Sequence, residues 1–151
     1  MTQAIGAVSV LVREYGEAID FYTRKLRFSV VADAPLGGGK RWVLLSPPGP
    51  GECRLLLARA KNREEAEAVG CQAGGRVFLF LHTDDFARDY AELKRRGVRF
   101  NEEPREKDYG TVAVFEDLYG NKWDLVMPGQ TGRPPRPAVS SGDTPVKQGP
   151  P

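Results

Sequence analysis

The chain has 151 residues, the length of one ordinary domain or of two small fused modules. Hydrophobic residues make up 40% and aromatic residues 9%, enough to bury a real core. A net charge of +2 with 28% charged residues gives no field suited to nucleic acid or a membrane surface, and no apolar run approaches membrane-spanning length.

Ile5 to Val12 is apolar and rich in β-branched residues, which predicts a strand. Tyr15 to Leu26 switches to helical spacing, with Ala18, Phe21, Tyr22 and Leu26 on one stripe and Glu17, Asp20, Arg24 and Lys25 outside it. Phe28 to Ala34 and Lys40 to Leu45 read as strands around a turn or flexible loop at Pro35 to Gly39. Ser46 to Gly51 ends the third strand, and Cys53 to Ala58 is a fourth. Lys61 to Val69, charged and alanine-rich, reads as a short helix or a mobile excursion closed by Gly74-Gly75.

The order then repeats. Arg76 to Thr83 is a strand of bulky apolar residues. Asp85 to Arg96 is a helix with Phe86, Tyr90 and Leu93 inward and Gly97 in the stop position. Val98 to Glu102 is a short strand, Pro104 to Tyr109 a charged loop, and Gly110 to Glu116 and Asn121 to Met127 are the last strands. From Gly129 to Pro151 the chain is rich in Pro, Gly and Ser, which predicts a disordered tail.

Lys94-Arg95-Arg96 fits the cation-favouring end of a helix better than a nucleic-acid patch. Cys53 and Cys71 have no metal-type spacing and no catalytic-looking histidine beside them, so ordinary thiols in a cytoplasmic protein are expected. The residues from Met1 lack a signal-peptide pattern. No phosphate loop, nucleophile elbow or Cys–His pair occurs, and Gly37-Gly38-Gly39 precedes a strand rather than a helix. No catalytic residue is therefore assigned.

Phe115-Glu-Asp-Leu-Tyr-Gly-Asn-Lys-Trp-Asp124 matches an earlier stretch, Gly51 to Leu57, at an offset of 69: Gly51 falls on Gly120 and Leu55 on Asp124. Ala18, Asp20 and Phe21 match Ala87, Asp89 and Tyr90 at the same offset, whereas the first strands match at 71. A two-residue difference in the strand-to-helix connection is expected to reconcile them. Each half is then β-α-β-β-β, and neither half covers its sheet alone.

This order, Phe21-Tyr22 followed by Leu26-Arg27-Phe28, and the Asp-Leu-Tyr-Gly-Asn-Lys-Trp-Asp-Leu run resemble the vicinal oxygen chelate superfamily, also called glyoxalase/bleomycin resistance/dioxygenase. The resemblance spans about residues 4–128. It implies an α+β fold of two β-α-β-β-β modules, about 4–60 and 75–128, forming a curled mixed sheet around a cavity, in a homodimer. Arg27 stands where the family usually has glycine; a left-handed backbone there costs about 1 kcal/mol, which leaves open a different helix end.

In the family's metal enzymes a ligand sits on the first and last strand of each module. Carried over, those positions are Ala7, Leu55, Phe78 and Asp124, of which only Asp124 offers a lone pair suited to a divalent ion. The usual metal site is therefore expected to be absent, with no cofactor.

Six residues are singled out for ligand binding. His82, four residues after Phe78, shares its strand face, and is open to readings as a ligand contact, an acid/base group, one leg of a displaced metal site with Asp124, or a polar residue at a strand end. Asp124 either binds a cationic or hydrogen-bond-donating ligand group or closes an internal salt bridge. Phe78, Phe80 and Trp42 line a flat pocket or belong to the core. Tyr109, at a loop-to-strand junction, closes over a ligand or makes an ordinary turn. Trp123, out of phase with Asp124, is expected under the helices. The function implied is metal-independent binding of a small drug or metabolite; the alternative is a metal-dependent lyase or dioxygenase using a site around His82 and Asp124.

Overall fold

The computed structural model describes residues 1–129. Of the tail expected over 129–151, all but Gly129 lies outside the described residues. The elements are β1 (Ala7–Val12), α1 (Tyr15–Arg24), β2 (Ser29–Gly37), β3 (Lys40–Ser46), β4 (Arg54–Arg59), α2 (Arg63–Ala68), β5 (Val77–His82), α3 (Phe86–Arg95), β6 (Arg99–Phe100), β7 (Arg105–Lys107), β8 (Gly110–Glu116) and β9 (Lys122–Pro128).

They form two separate mixed sheets of matching topology. One runs β1-β4-β3-β2, the other β5-β9-β8-β6, with β7 also pairing β8. In each, the first strand pairs in parallel with the last, because the intervening helix carries the chain back across the sheet face.

The helices form for local reasons. α1 buries Tyr15, Ala18, Phe21 and Tyr22 on one stripe. α3 begins at Asp85, whose Oδ1 accepts from the Arg88 backbone N–H at 3.1 Å, and stops at Gly97 with φ +90°. α2, expected as a helix or a mobile excursion, is a helix capped by Asn62 Oδ1 accepting from Glu65 N–H at 2.8 Å. α1 ends as the family glycine would have allowed, despite Arg27: that residue takes φ +67° itself.

Three boundaries differ from expectation. β2 continues through Pro35 to Gly37, and Gly38 and Gly39, both with positive φ, make the two-residue turn into β3. A strand tolerates that proline because β2 is a sheet edge. The charged loop at Pro104 to Tyr109 contains β7, which adds three pairs to β8. Finally, β1 and β5 stand 70 apart (Ala7 to Val77) and α1 and α3 stand 71 apart (Tyr15 to Phe86), so the two strand-to-helix connections differ by one residue rather than two.

One core serves both halves. It joins Val10, Val12, Leu45, Leu55 and Leu57 of the first sheet to Phe115, Trp123 and Leu125 of the second through α1 and α3. Tyr22 and Phe28 lie 6.0 and 6.1 Å from the Trp123 ring, which sits under the helices as its phase predicted. Tyr22 Oη also donates to Asp117 Oδ2 at 2.6 Å. Asp117 Oδ1 takes the backbone N–H groups of Tyr119 and Asn121 at 3.0 Å each, so the turn before β9 is tied to α1. The Gln72 amide pairs with the free edge of β1, accepting from Leu11 N–H and donating to Ser9 O, both at 2.8 Å. Because the helix-bearing faces share this core, the opposite face of each sheet points away from it, though Val112, Asp124 and Val126 on the second sheet's opposite face are themselves buried.

Candidate functional site

Strand register assigns the outward faces. Trp123 and Leu125 enter the core, so Asp124 and Val126 face the other way, with Val112 and Val114 of β8 beside them. Phe80 pairs with Asp124, and His82 with Val126, so both lie on this face. In the first sheet Val10 and Leu57 are core, which puts Ser9, Leu11, Leu44, Leu56 and Trp42 outward.

Two sequence-based placements change as a result. The register shifts between Val77 and Leu79, leaving Phe78 as an extra residue of β5. It packs against the core cluster and does not share a face with Phe80. Leu55 is buried in the core; the residue whose pairing mirrors that of Asp124 is Leu56, opposite Ser9 as Asp124 is opposite Phe80. A single-residue slip turns every side chain of a strand to its other face. The outward set at the positions where the family holds metal is thus Ser9, Leu56, Phe80 and Asp124. It offers one carboxylate and one hydroxyl, which does not fit a divalent ion. Among the described residues, no three His, Cys, Asp or Glu side chains converge as a metal-binding set would.

Asp124 is 4% exposed, and its Oδ1 is buried without a hydrogen-bond partner. Burial pushes its carboxyl above the usual carboxylate range, opposed by the Arg105 charge and reinforced by Glu102. Arg105 does not close an ion pair with it: its Nε donates to Glu102 Oε2 at 2.9 Å, and the same oxygen accepts from the Val114 backbone N–H at 3.1 Å. The internal salt bridge is therefore between Glu102 and Arg105, not on Asp124. Tyr109 is half-buried nearby, its phenol pushed up first by burial and then by the Asp124 charge. Its carbonyl accepts from Gly129 N–H at 2.8 Å.

Phe80 and Trp42 are 40% and 43% exposed, each on the outward face of its own sheet. One chain does not bring Trp42 to Asp124. His82 is exposed and opens onto a different space, a cleft of about 1000 Å³ lined by Leu26, Pro47, Thr83 and Arg88 but not by Asp124. Arg88 is spent there on Asp84 and Asp89, at 2.9 and 2.8 Å. Glu102 and Arg105 escaped the sequence reading because they lie at the edge of a run read as a solvated loop. Their only cue was a charge pair three residues apart next to a strand.

The family model described as Glyoxalase/Bleomycin resistance protein/Dioxygenase superfamily matches residues 4–125. The chain belongs to this superfamily. An uncharacterized protein of Shewanella frigidimarina is 54% identical over 128 residues, covering 84% of this chain and 95% of the relative. The uncharacterized protein YetH of Bacillus subtilis is 32% identical over 124 residues, 80% of this chain and 95% of YetH. Among solved superfamily structures, TnmS3, an antibiotic binding protein from Streptomyces sp. CB03234, is 30% identical with a TM-score of 0.70, covering 85% of this chain and 98% of TnmS3. A glyoxalase/bleomycin resistance protein from the same organism is 31% identical with a TM-score of 0.66, covering 82% of this chain and 100% of its own.

Proposed function

We propose that this superfamily member binds a small organic molecule, a drug or metabolite, without a metal, as a cytoplasmic homodimer. The observation that carries the reading is the Asp124 carboxylate, buried with a free oxygen on the sheet face that also presents Phe80. A buried polar atom without a partner costs about 1–3 kcal/mol, and a ligand donor relieves that cost on binding. The likeness to TnmS3 supports the same class of activity.

The geometry of one chain supports the homodimer. The outward face of the first sheet, with Leu11, Leu44, Leu56 and Trp42, is apolar and open, and so is Phe80 on the second. Laying the first sheet of one copy over the second sheet of another would bury both and close a pocket around Asp124, Tyr109 and Phe80. Trp42 then enters the pocket from the partner copy. His82 stays outside it, on the separate cleft at the strand end.

The test has two parts. Sedimentation should give a dimer, and Trp42→Arg should give a folded monomer with lost binding. A thermal-shift screen of antibiotics and aromatic acids should give saturable hits, since a ligand at about 100 times its Kd adds roughly 2.7 kcal/mol. Stoichiometric metal in the purified protein, lost in both His82→Ala and Asp124→Ala, would replace this reading with the metal-dependent lyase or dioxygenase.

A further inference from the structure

We propose that the ligand of this pocket carries one positive charge on a planar group bearing N–H, stacked on Phe80 with an N–H directed at the Asp124 carboxylate. The inference rests on the binding reading above and adds the ligand's charge and shape.

The charge follows from the local ion count. Two charged side chains act on Asp124, Arg105 and Glu102; Lys122, two residues earlier on the same strand face and paired with Glu116, makes no ion pair with it. Glu102 and Arg105 neutralise one another through the 2.9 Å contact, and Glu102 is further held by Val114 N–H. Asp124 is left with one negative charge, with Oδ1 buried and no hydrogen bond. A single cation restores neutrality; a dication overshoots, and an anion meets two carboxylates. Tyr109, the remaining polar neighbour, has its phenol held in the neutral form by burial and by Asp124, so it adds no charge.

The shape follows from the neighbours. Phe80 is the direct cross-strand partner of Asp124, and Val114 is its partner on the other side. Directly opposed residues stand about 4.5–5.5 Å apart at Cβ. A flat ring on the exposed Phe80 therefore brings a ring-borne N–H within reach of the carboxylate, and the Phe80 face itself attracts a cation. A flexible alkylammonium gains only the charge. An extended aromatic amidinium or ring-aminated heteroaromatic cation gains charge, hydrogen bond and stacking together.

Calorimetric titration of the full-length protein with two charge-matched pairs tests this: 9-aminoacridine against acridone, and benzamidine against benzamide. At neutral pH the first of each pair is a cation and the second is neutral with nearly the same outline. The cation is expected to bind at least about 10-fold tighter than its neutral twin, a difference of roughly 1.4 kcal/mol. Asp124→Asn should abolish that preference while leaving acridone binding in place. Arg105→Gln, which leaves Glu102 uncompensated, should enlarge the preference, so the proposal stays testable should Asp124→Asn fold poorly. Equal binding of the twins, or a cation preference that survives Asp124→Asn, overturns the charge assignment and leaves small-molecule binding standing. Absence of binding by all four probes at about 1 mM overturns this inference; only an empty wider screen would also overturn the function proposed above.

Discussion

A carboxylate kept for a ligand should be a liability to the free protein, and Asp124→Asn measures it. Asp124 sits among Phe80, Val112, Val114 and Val126, with Oδ1 unpartnered and the Arg105 guanidinium committed to Glu102. An unsatisfied buried group costs about 1–3 kcal/mol, with a charged group at the upper end. The asparagine keeps the shape and removes the charge, so the variant is expected to be more stable near pH 7 by about 1–2 kcal/mol, or roughly 3–8 °C in Tm for a domain of this size. The pH dependence carries the diagnosis. Burial raises the Asp124 carboxyl in the folded state, so the folded protein binds that proton more readily than the unfolded chain. Its contribution to stability is full below the ordinary aspartate value near 3.9 and is lost as pH rises through the higher folded value. The variant lacks this loss, so the gap between the two proteins should be small near pH 4 and open as pH rises. Urea unfolding followed by the fluorescence of buried Trp123, at one fixed protein concentration, reads it directly. A variant less stable at pH 7, or a gap that does not change with pH, would refute the argument that Asp124 is an uncompensated buried charge.

Other substitutions probe the joints that hold the sheet faces in place. Tyr22→Phe removes the 2.6 Å donor to Asp117 from a fully buried site and should cost about 1.5–3 kcal/mol in urea unfolding at pH 7. Gly70→Ala would drive a Cβ into the Tyr119 carbonyl oxygen at φ +82°, and should cost well over about 1 kcal/mol; Gly38→Ala, at φ +64° with open space, should cost about 1 kcal/mol by the same assay. Arg27→Gly should stabilise by up to about 1 kcal/mol, because it relieves the left-handed backbone that ends α1, and calorimetric Tm is the readout.

The fold was legible because its signals are local and repeated. The switch from period 2 to helical period at Tyr15 and again at Asp85, and the Gly120-Asn121 turn into Trp123 and Asp124, are each set by a few neighbouring residues. The phase of Trp123 against Asp124 was legible for the same reason. What failed was anything that depended on pairing. The extra residue at Phe78 leaves no mark in a run of five bulky apolar residues, since either face of β5 accepts them. Whether Leu55 or Leu56 faces outward is undecidable in Leu55-Leu56-Leu57 until the register with Val8, Ser9 and Val10 is known. Glu102 and Arg105 became neighbours of Asp124 through pairing of β7 with β8, which three charged residues did not advertise.

Strand pairing changes which residues stand beside Asp124 but not the kind of chemistry they offer. The positions carried over from the family are Ala7, Leu55 and Phe78 with Asp124. Moving each position to its paired neighbour gives Ser9, Leu56 and Phe80, and the tally rises by one neutral hydroxyl. A zinc or similar ion takes three or four nitrogen, sulfur or charged oxygen ligands, and a serine hydroxyl is a poor substitute for any of them. Both registers therefore reach the same result, and shifting any one strand by a further residue supplies no histidine. The only histidine, His82, shares the Phe80 face but opens onto the cleft at the strand end, a space that Asp124 does not line. What the two halves kept in common is the scaffold. What they divided is the chemistry: an apolar face on one sheet, and on the other a single buried carboxylate with its neighbouring cation already spoken for.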